Sequence, residues 1–244
     1  MTTPPGIAAA PDEVGGLSRF KDRLRRGAHA ILFPIVAWLG RAGVQPDHLT
    51  IAGCVVSAAA ALAFFEGGFR LGAGLLCLSG VCDILDGELA RARGASSVFG
   101  AFLDSTLDRL ADALVLAGIA GFYLSHLLEL AHDPSRVLAE LSRGLEPRTW
   151  AILSLTALLA LIGSFLVSYT RARAEGLGVE CRVGWFERPE RMVLLIVAGL
   201  FGIGPVMSGA LLVLTVLSFM TAAQRVAHVY RVTRGLGPLT SKEA

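Results

Sequence analysis

Charged residues are scarce in this chain. Asp, Glu, Lys and Arg make up only 17% of its 244 residues, whereas hydrophobic residues make up 54%. About a quarter of the residues of a typical soluble domain are charged, so the composition argues against a soluble protein. The net charge is only +2, and we expect no nucleic-acid partner.

Cysteine and histidine are also few and lack the spacing of a metal or disulfide framework. The four cysteines show no CxxC pair and have no histidine at ligand spacing: Cys54, Cys77, Cys82 and Cys181. Three of them fall in apolar stretches, where cysteine behaves as a small apolar residue. We therefore expect neither a zinc site nor a disulfide framework.

Long apolar stretches are what the chain does contain. Residues 51–65, 111–124 and 150–167 are nearly free of charge, and a membrane-spanning helix needs about 20 residues. The pattern predicts an all-α, polytopic membrane protein with six transmembrane helices, near residues 50–66, 71–92, 98–127, 149–171, 189–205 and 206–228.

The segments around these spans complete the predicted organisation. We expect a disordered N-terminus (1–16), an interfacial amphipathic helix (17–45), a six-helix domain (46–234) and a C-terminal tail (235–244). The alternative for residues 17–43 is a first, poorly apolar span. All but four of the 22 basic residues fall on one side of the membrane in this arrangement. The positive-inside rule places that side, and both chain ends, in the cytoplasm of a cell (inner or plasma) membrane.

Two pairs of aspartates interrupt the apolar sequence. Asp83 and Asp86 are three residues apart, and Asp104 and Asp108 are four apart, so on helices each pair shares one face. Ionised carboxylates in membrane-length apolar stretches need a positive partner. A divalent cation is one such partner, and oxygen ligands favour Mg²⁺, Mn²⁺ or Ca²⁺ over zinc or copper.

Pairing with nearby arginines is the alternative for these carboxylates, since Arg91 and Arg109 are available. Four aspartates in two same-face pairs exceed what such pairing needs. Asp112 follows Asp108 by four residues, and we expect it to be a hydrogen-bonded helix residue rather than a further ligand.

The aspartates belong to a longer pattern, Asp83-x2-Asp86-Gly87-x2-Ala90-Arg91-x8-Gly100-x3-Asp104-x3-Asp108. This pattern resembles the signature of the CDP-alcohol phosphotransferases. The resemblance implies a homodimer that transfers a phosphatidyl-type group from a CDP-linked lipid to a hydroxyl acceptor and releases CMP. It also implies that the four aspartates bind two metal ions, Mg²⁺ with Mn²⁺ possible, and that Asp108 acts as general base. Five further residues would then surround the nucleotide of the CDP-lipid: Asp47, Thr50, Gly87, Arg91 and Ser97.

A second informative stretch is rich in arginine. Residues 168–175 read Ser-Tyr-Thr-Arg-Ala-Arg-Ala-Glu, and residues 187–191 read Glu-Arg-Pro-Glu-Arg. Ordinary cytoplasmic positive charge would explain these arginines without a specific role. The stretch is also similar to the branch of the family that makes phosphatidylinositol phosphate, with Arg171 in place of a lysine. That resemblance implies that Arg171, Arg173 and Arg191 hold the phosphate of an inositol phosphate acceptor.

The sequence thus predicts a Mg²⁺-dependent membrane enzyme that joins CDP-diacylglycerol to inositol phosphate. One alternative acceptor is glycerol 3-phosphate, which would give phosphatidylglycerol phosphate. A rival from another class is a divalent cation transporter that uses the aspartates as a transit site. The transporter would move metal across vesicles and release no CMP.

Overall fold

A computed structural model describes residues 34–94, 97–142 and 146–234, and those residues form helices and no strands. The seven helices that follow Gln45 are α1 (Pro46–Phe65), α2 (Phe69–Arg93), α3 (Val98–His132), α4 (Pro134–Ser142), α5 (Pro147–Gly176), α6 (Arg188–Phe201) and α7 (Pro205–Thr233). Residues 34–41 are also helical and belong to a separate compact unit that ends at Gln45. The predicted disordered N-terminus, the first part of the predicted interfacial helix and the tail lie outside the described residues.

Four of these helices are long and apolar enough to cross a membrane, namely α1, α3, α5 and α7. Helix α2 carries the first aspartate pair and two arginines in its last turn, so it is less apolar. Helix α6 has only 14 residues, which span about 21 Å of an apolar layer about 30 Å thick. The all-α membrane architecture is confirmed in this coarser form, and the count of six spans stays a prediction.

Proline fixes where most of the helices begin. It is the first residue of α1, α4, α5 and α7 and the second residue of α6. Proline suits the first turn because its missing N–H would have had no partner there. The positions of the prolines therefore mark where the helices begin more sharply than the hydropathy of the sequence does.

An aromatic core occupies one end of the bundle. The ring of Phe69 meets Phe64 and Phe122 edge to face, at centroid distances of 5.4 Å and 5.0 Å. Tyr123 and Trp150 extend this cluster towards α5. Such edge-to-face pairs are favourable beyond the area that they bury. The cluster lies at the end of α1 and the start of α2, away from the aspartates.

Small residues let the helices approach closely. A side chain at Gly118 of α3 would collide with the backbone carbonyl of Ala61 in α1. The hydroxyls of Ser57 and Ser79 share a hydrogen bond of 2.7 Å between α1 and α2. Close approach of small residues and hydroxyl bonds between helices are typical of membrane bundles.

Helix α1 lies against both α2 and α3, but α2 and α3 touch each other little. Only four residues separate the end of α2 from the start of α3, and Ser97 caps α3 by accepting a hydrogen bond of 2.8 Å from the Gly100 N–H. The two aspartate-bearing helices therefore lie near each other where α2 ends and α3 begins, and they leave space between them. That space holds the candidate site.

Candidate metal and substrate site

Three of the four predicted aspartates converge. Asp83 near the end of α2 and Asp104 and Asp108 on α3 each offer a carboxylate oxygen, and these oxygens lie within 4.8 Å of one another. We call these three residues the carboxylate cluster. Three hard oxygen donors from two helices match the ligand preference of Mg²⁺ or Mn²⁺, so the residues fit a divalent cation.

Asp86 lies beside the cluster and has a partner of its own. Its side chain is buried, and the hydroxyl of Thr50 donates a hydrogen bond of 2.7 Å to it from α1. Asp86 and Asp104 both face a large cavity. The predicted set of four is thus divided between three clustered carboxylates and one that is oriented by Thr50.

The large cavity, of about 370 Å³, lies among the start of α1, the end of α2 and the start of α3. Every residue that the resemblance assigned to the CDP-lipid lines it: Asp47, Thr50, Gly87, Arg91 and Ser97. Gly100 lines it as well. A Cβ at Gly100 would lie 2.9 Å from the Ser97 hydroxyl oxygen and 3.2 Å from Asp47 Oδ1, so a side chain there would disturb the wall. The cavity has the volume of a small-molecule site.

The guanidinium of Arg91 is available to a ligand in this cavity. It pairs with Glu88 at 2.8 Å, one turn earlier on α2, and 63% of its side chain is exposed. An exposed pair of this kind is weak and yields readily to a phosphate, which matches the planar fork of arginine.

Asp83 and Asp108 also border a second, water-sized pocket of about 10 Å³, where Arg188 is among the lining residues. The Nη1 atom of Arg188 lies 2.5 Å from Asp83 Oδ2 and 2.9 Å from Asp108 Oδ1. Arg188 thus connects the start of α6 to the carboxylate cluster. Our sequence reasoning counted Arg188 only among the arginines of residues 168–191, and it named Arg91 and Arg109 as the pairing candidates for the aspartates.

Asp112 holds two arginines of α6. Its carboxylate lies 3.4 Å from Arg188 Nε and 2.7 Å from Arg191 Nη2. The expectation that Asp112 is a hydrogen-bonded helix residue is confirmed. The spacing of Arg188 and Arg191 is the signal that sequence reasoning missed, because residues three apart on a helix can reach the same partner.

The three predicted acceptor residues have different surroundings. Arg171 pairs with Glu175 at 2.9 Å and with Glu187 at 3.5 Å. Arg173, in the last turn of α5, is exposed to solvent. Arg191 is only 4% exposed, so it is the least accessible of the three.

A buried arginine of α7 completes this end of the bundle. Arg225 is 2% exposed, and it donates hydrogen bonds of 2.8 Å to the Val183 carbonyl and 2.9 Å to Glu187. Glu187 in turn caps the start of α6 in a capping box with Glu190, in which the side chain of each residue accepts a hydrogen bond from the backbone N–H of the other. Arg225 therefore ties α7 to the residues that lead into α6. The local sequence could not predict these contacts, because the partners of Arg225 lie 38 or more residues away along the chain.

Comparison with known proteins gives consistent matches. The sequence profile of the CDP-alcohol phosphatidyltransferase family matches residues 44–224. The archaetidylinositol phosphate synthase of Methanothermobacter thermautotrophicus is 36% identical over 218 residues, which are 88% of this chain and 94% of that protein. The phosphatidylinositol phosphate synthase of Mycobacteroides abscessus is 36% identical over 209 residues, 83% of this chain and 84% of that protein.

Solved structures match along most of the chain. The phosphatidylinositol phosphate synthase of Mycobacterium tuberculosis with CDP-DAG bound has a TM-score of 0.71 and 30% identity, covering 86% of this chain and 99% of that one. The same enzyme in complex with manganese and citrate has a TM-score of 0.70 and covers 86% of this chain and 93% of that one.

Proposed function

This chain belongs to the CDP-alcohol phosphatidyltransferase family, and we propose that it transfers a phosphatidyl group from CDP-diacylglycerol to inositol phosphate, with release of CMP. The main support for the proposal is the large cavity, because all five residues that are expected around a CDP-lipid line it. Relatives that are named for inositol phosphate lipids support the choice of acceptor.

The donor would bind in the large cavity with its diphosphate towards the carboxylate cluster. Asp86 and Asp104 border the cavity, and the Thr50 hydroxyl orients the Asp86 carboxylate by donating a hydrogen bond to it. Arg91 would pair with a phosphate of the donor, since its guanidinium is exposed and its pair with Glu88 is a weak surface contact. The diacylglycerol tails would extend along the apolar helices.

Asp83, Asp86, Asp104 and Asp108 would hold the divalent cations, for which we propose two Mg²⁺ ions. A bound divalent cation neutralises charge on the diphosphate and makes CMP a better leaving group. Asp108 would accept the proton of the acceptor hydroxyl. The hydroxyl oxygen then bonds to the phosphorus that carries the diacylglycerol, and the phosphoanhydride bond to CMP breaks. The proton passes from Asp108 to solvent.

The phosphate of the acceptor would lie near the ends of α5 and α6. Arg171 and Arg173 are the accessible members of the predicted set, and Arg191 would act from the buried side. Charge-assisted hydrogen bonds to phosphate are stronger than neutral ones. An acceptor with its own phosphate is therefore favoured over free inositol or serine.

We also propose that the site and both chain ends face the cytoplasm and that the protein is a homodimer with six spans. The lopsided distribution of arginine supports the orientation.

An acceptor panel tests the proposal. Detergent-purified protein would receive CDP-diacylglycerol, Mg²⁺ and one of four acceptors: inositol phosphate, glycerol 3-phosphate, free inositol or serine. We expect the highest kcat/KM for inositol phosphate. A preference for glycerol 3-phosphate would place the protein in the phosphatidylglycerol phosphate branch of the family. A preference for an acceptor without phosphate would contradict the proposal that the arginines bind the acceptor's phosphate.

A further inference from the structure

Arg188 contacts the same carboxylates that the proposed function gives to a divalent cation. Its Nη1 atom touches Asp83 and Asp108, two of the three members of the carboxylate cluster. The side chain is 18% exposed, so water screens these contacts only in part. A guanidinium at this position supplies the positive charge that the clustered carboxylates need.

A cation and this guanidinium compete for the cluster. Metal–oxygen bonds of Mg²⁺ are about 2.0–2.1 Å long, so an ion held by the cluster would lie close to the present position of Nη1 and would repel it. Arginine stays protonated at every relevant pH and has no neutral form to fall back on. It must therefore move away when a divalent cation binds.

Asp112 offers Arg188 a place to move to. Asp112 lies one turn beyond Asp108 on α3 and outside the carboxylate cluster, and its Oδ1 is 3.4 Å from Arg188 Nε. The guanidinium can keep the Nε contact while Nη1 leaves Asp83 and Asp108. The two terminal nitrogens would then face the site with free N–H groups, which suit a phosphate oxygen.

We propose that Arg188 is an exchangeable counter-cation of the carboxylate cluster. It neutralises Asp83 and Asp108 before a divalent cation binds. On binding, it shifts onto Asp112 and turns its terminal nitrogens towards the phosphate groups of the substrates. This inference rests on the proposed function, since it needs a metal at the cluster.

Titration with Mn²⁺ tests this exchange without measuring turnover, with the free ion monitored by electron paramagnetic resonance. Loss of the competing guanidinium in Arg188→Gln should lower the dissociation constant for Mn²⁺ by about tenfold, the factor expected for one charge-assisted hydrogen bond. Arg109→Gln is the matched control. Arg109 is near enough to Asp104 to interact electrostatically, but its guanidinium bonds to the Ser105 carbonyl.

We expect Arg109→Gln to change Mn²⁺ affinity less than threefold or so, because the Arg109 guanidinium is bonded to the Ser105 carbonyl and forms no ion pair with a cluster carboxylate among the described residues. Equal dissociation constants for wild type and Arg188→Gln would overturn the proposal. So would an equal gain in both variants, because the effect would then be general charge removal.

Arg188→Lys keeps the proposal testable if Arg188→Gln does not fold. Lysine keeps the charge but loses the fork that reaches Asp83, Asp108 and Asp112 together. Competition predicts an affinity between those of wild type and Arg188→Gln, whereas long-range repulsion predicts the wild-type value and would overturn the proposal.

Asp104→Asn distinguishes an error in the metal site from an error in the proposed exchange. If it binds Mn²⁺ as wild type does, the metal site itself is wrong; if it loses Mn²⁺ and the Arg188 variants do not gain affinity, only the exchange is wrong.

Discussion

Replacing Asp112 by Asn should destabilise the fold severely. Arg191 is 4% exposed and lies 2.7 Å from Asp112, while Arg188 lies 3.4 Å from the same carboxylate. Asparagine keeps the size of the side chain but removes its charge, and both arginines stay charged. Breaking a buried ion pair by removing one partner costs about 3–5 kcal/mol. Asparagine can still accept one hydrogen bond, so we expect the lower end of that range.

A loss of about 3 kcal/mol lowers the melting temperature of a chain of this size by roughly 6–12 °C. Differential scanning fluorimetry in detergent would measure it, at several scan rates because membrane proteins often unfold irreversibly. Glu129→Gln is the control. Glu129 pairs with Arg136 at 2.9 Å, but both side chains are more than half exposed, and such pairs contribute about 0–1 kcal/mol.

The prediction would be refuted if Asp112→Asn melted at the wild-type temperature, as the control Glu129→Gln is expected to do. If Asp112→Asn kept its melting temperature but lost Mn²⁺ binding, Asp112 would be a metal ligand rather than the partner of two arginines.

The remaining predictions concern catalysis, topology and the acceptor. Asp108→Asn should fold normally but lose at least about a thousandfold in kcat, because it removes the base and a cluster charge at once; turnover near the wild-type rate would contradict Asp108 as the base. In a cysteine-free background, a cysteine replacing Arg93 should react with an impermeant maleimide only from the cytoplasmic side, and one replacing Arg136 only from outside; labelling of position 93 from outside would reverse the orientation. Arg173→Ala should raise the KM for inositol phosphate about tenfold and leave the KM for the CDP-lipid unchanged, since a charged hydrogen bond contributes about 1.5–3 kcal/mol. Arg182→Ala, which removes an exposed arginine paired with Glu180, should change neither KM.

Local sequence pattern was enough to predict that the aspartates of α2 and α3 lie together. Helical spacing puts Asp104 and Asp108 on one face of α3, and only four residues separate α3 from α2, which carries Asp83. The residues predicted around the CDP-lipid came from the family resemblance and not from spacing. They line one cavity, and their role stays a prediction.

The arginines of α6 could not be predicted in this way. Arg188 reaches Asp83 across 105 residues of sequence, and only the packing of α6 against α2 brings the two together. Arg191 was predicted to hold the acceptor phosphate, which stays a prediction; its contact with Asp112 and its exposure of only 4% were not foreseen from the sequence. The number of spans was also harder to predict than the helices themselves. Helix α6 ends after 14 residues at Gly202, whose φ of 82° does not continue a helix, although the apolar sequence runs on into α7.

One measurement tests the central claim most directly. Purified protein would be incubated with CDP-diacylglycerol, inositol phosphate and Mg²⁺, and CMP and the lipid product would be quantified together by mass spectrometry. The account predicts one phosphatidylinositol phosphate for each CMP released, and neither product when EDTA replaces Mg²⁺. Release of CMP without the lipid product, or no CMP at all under conditions where the protein is folded, would contradict it.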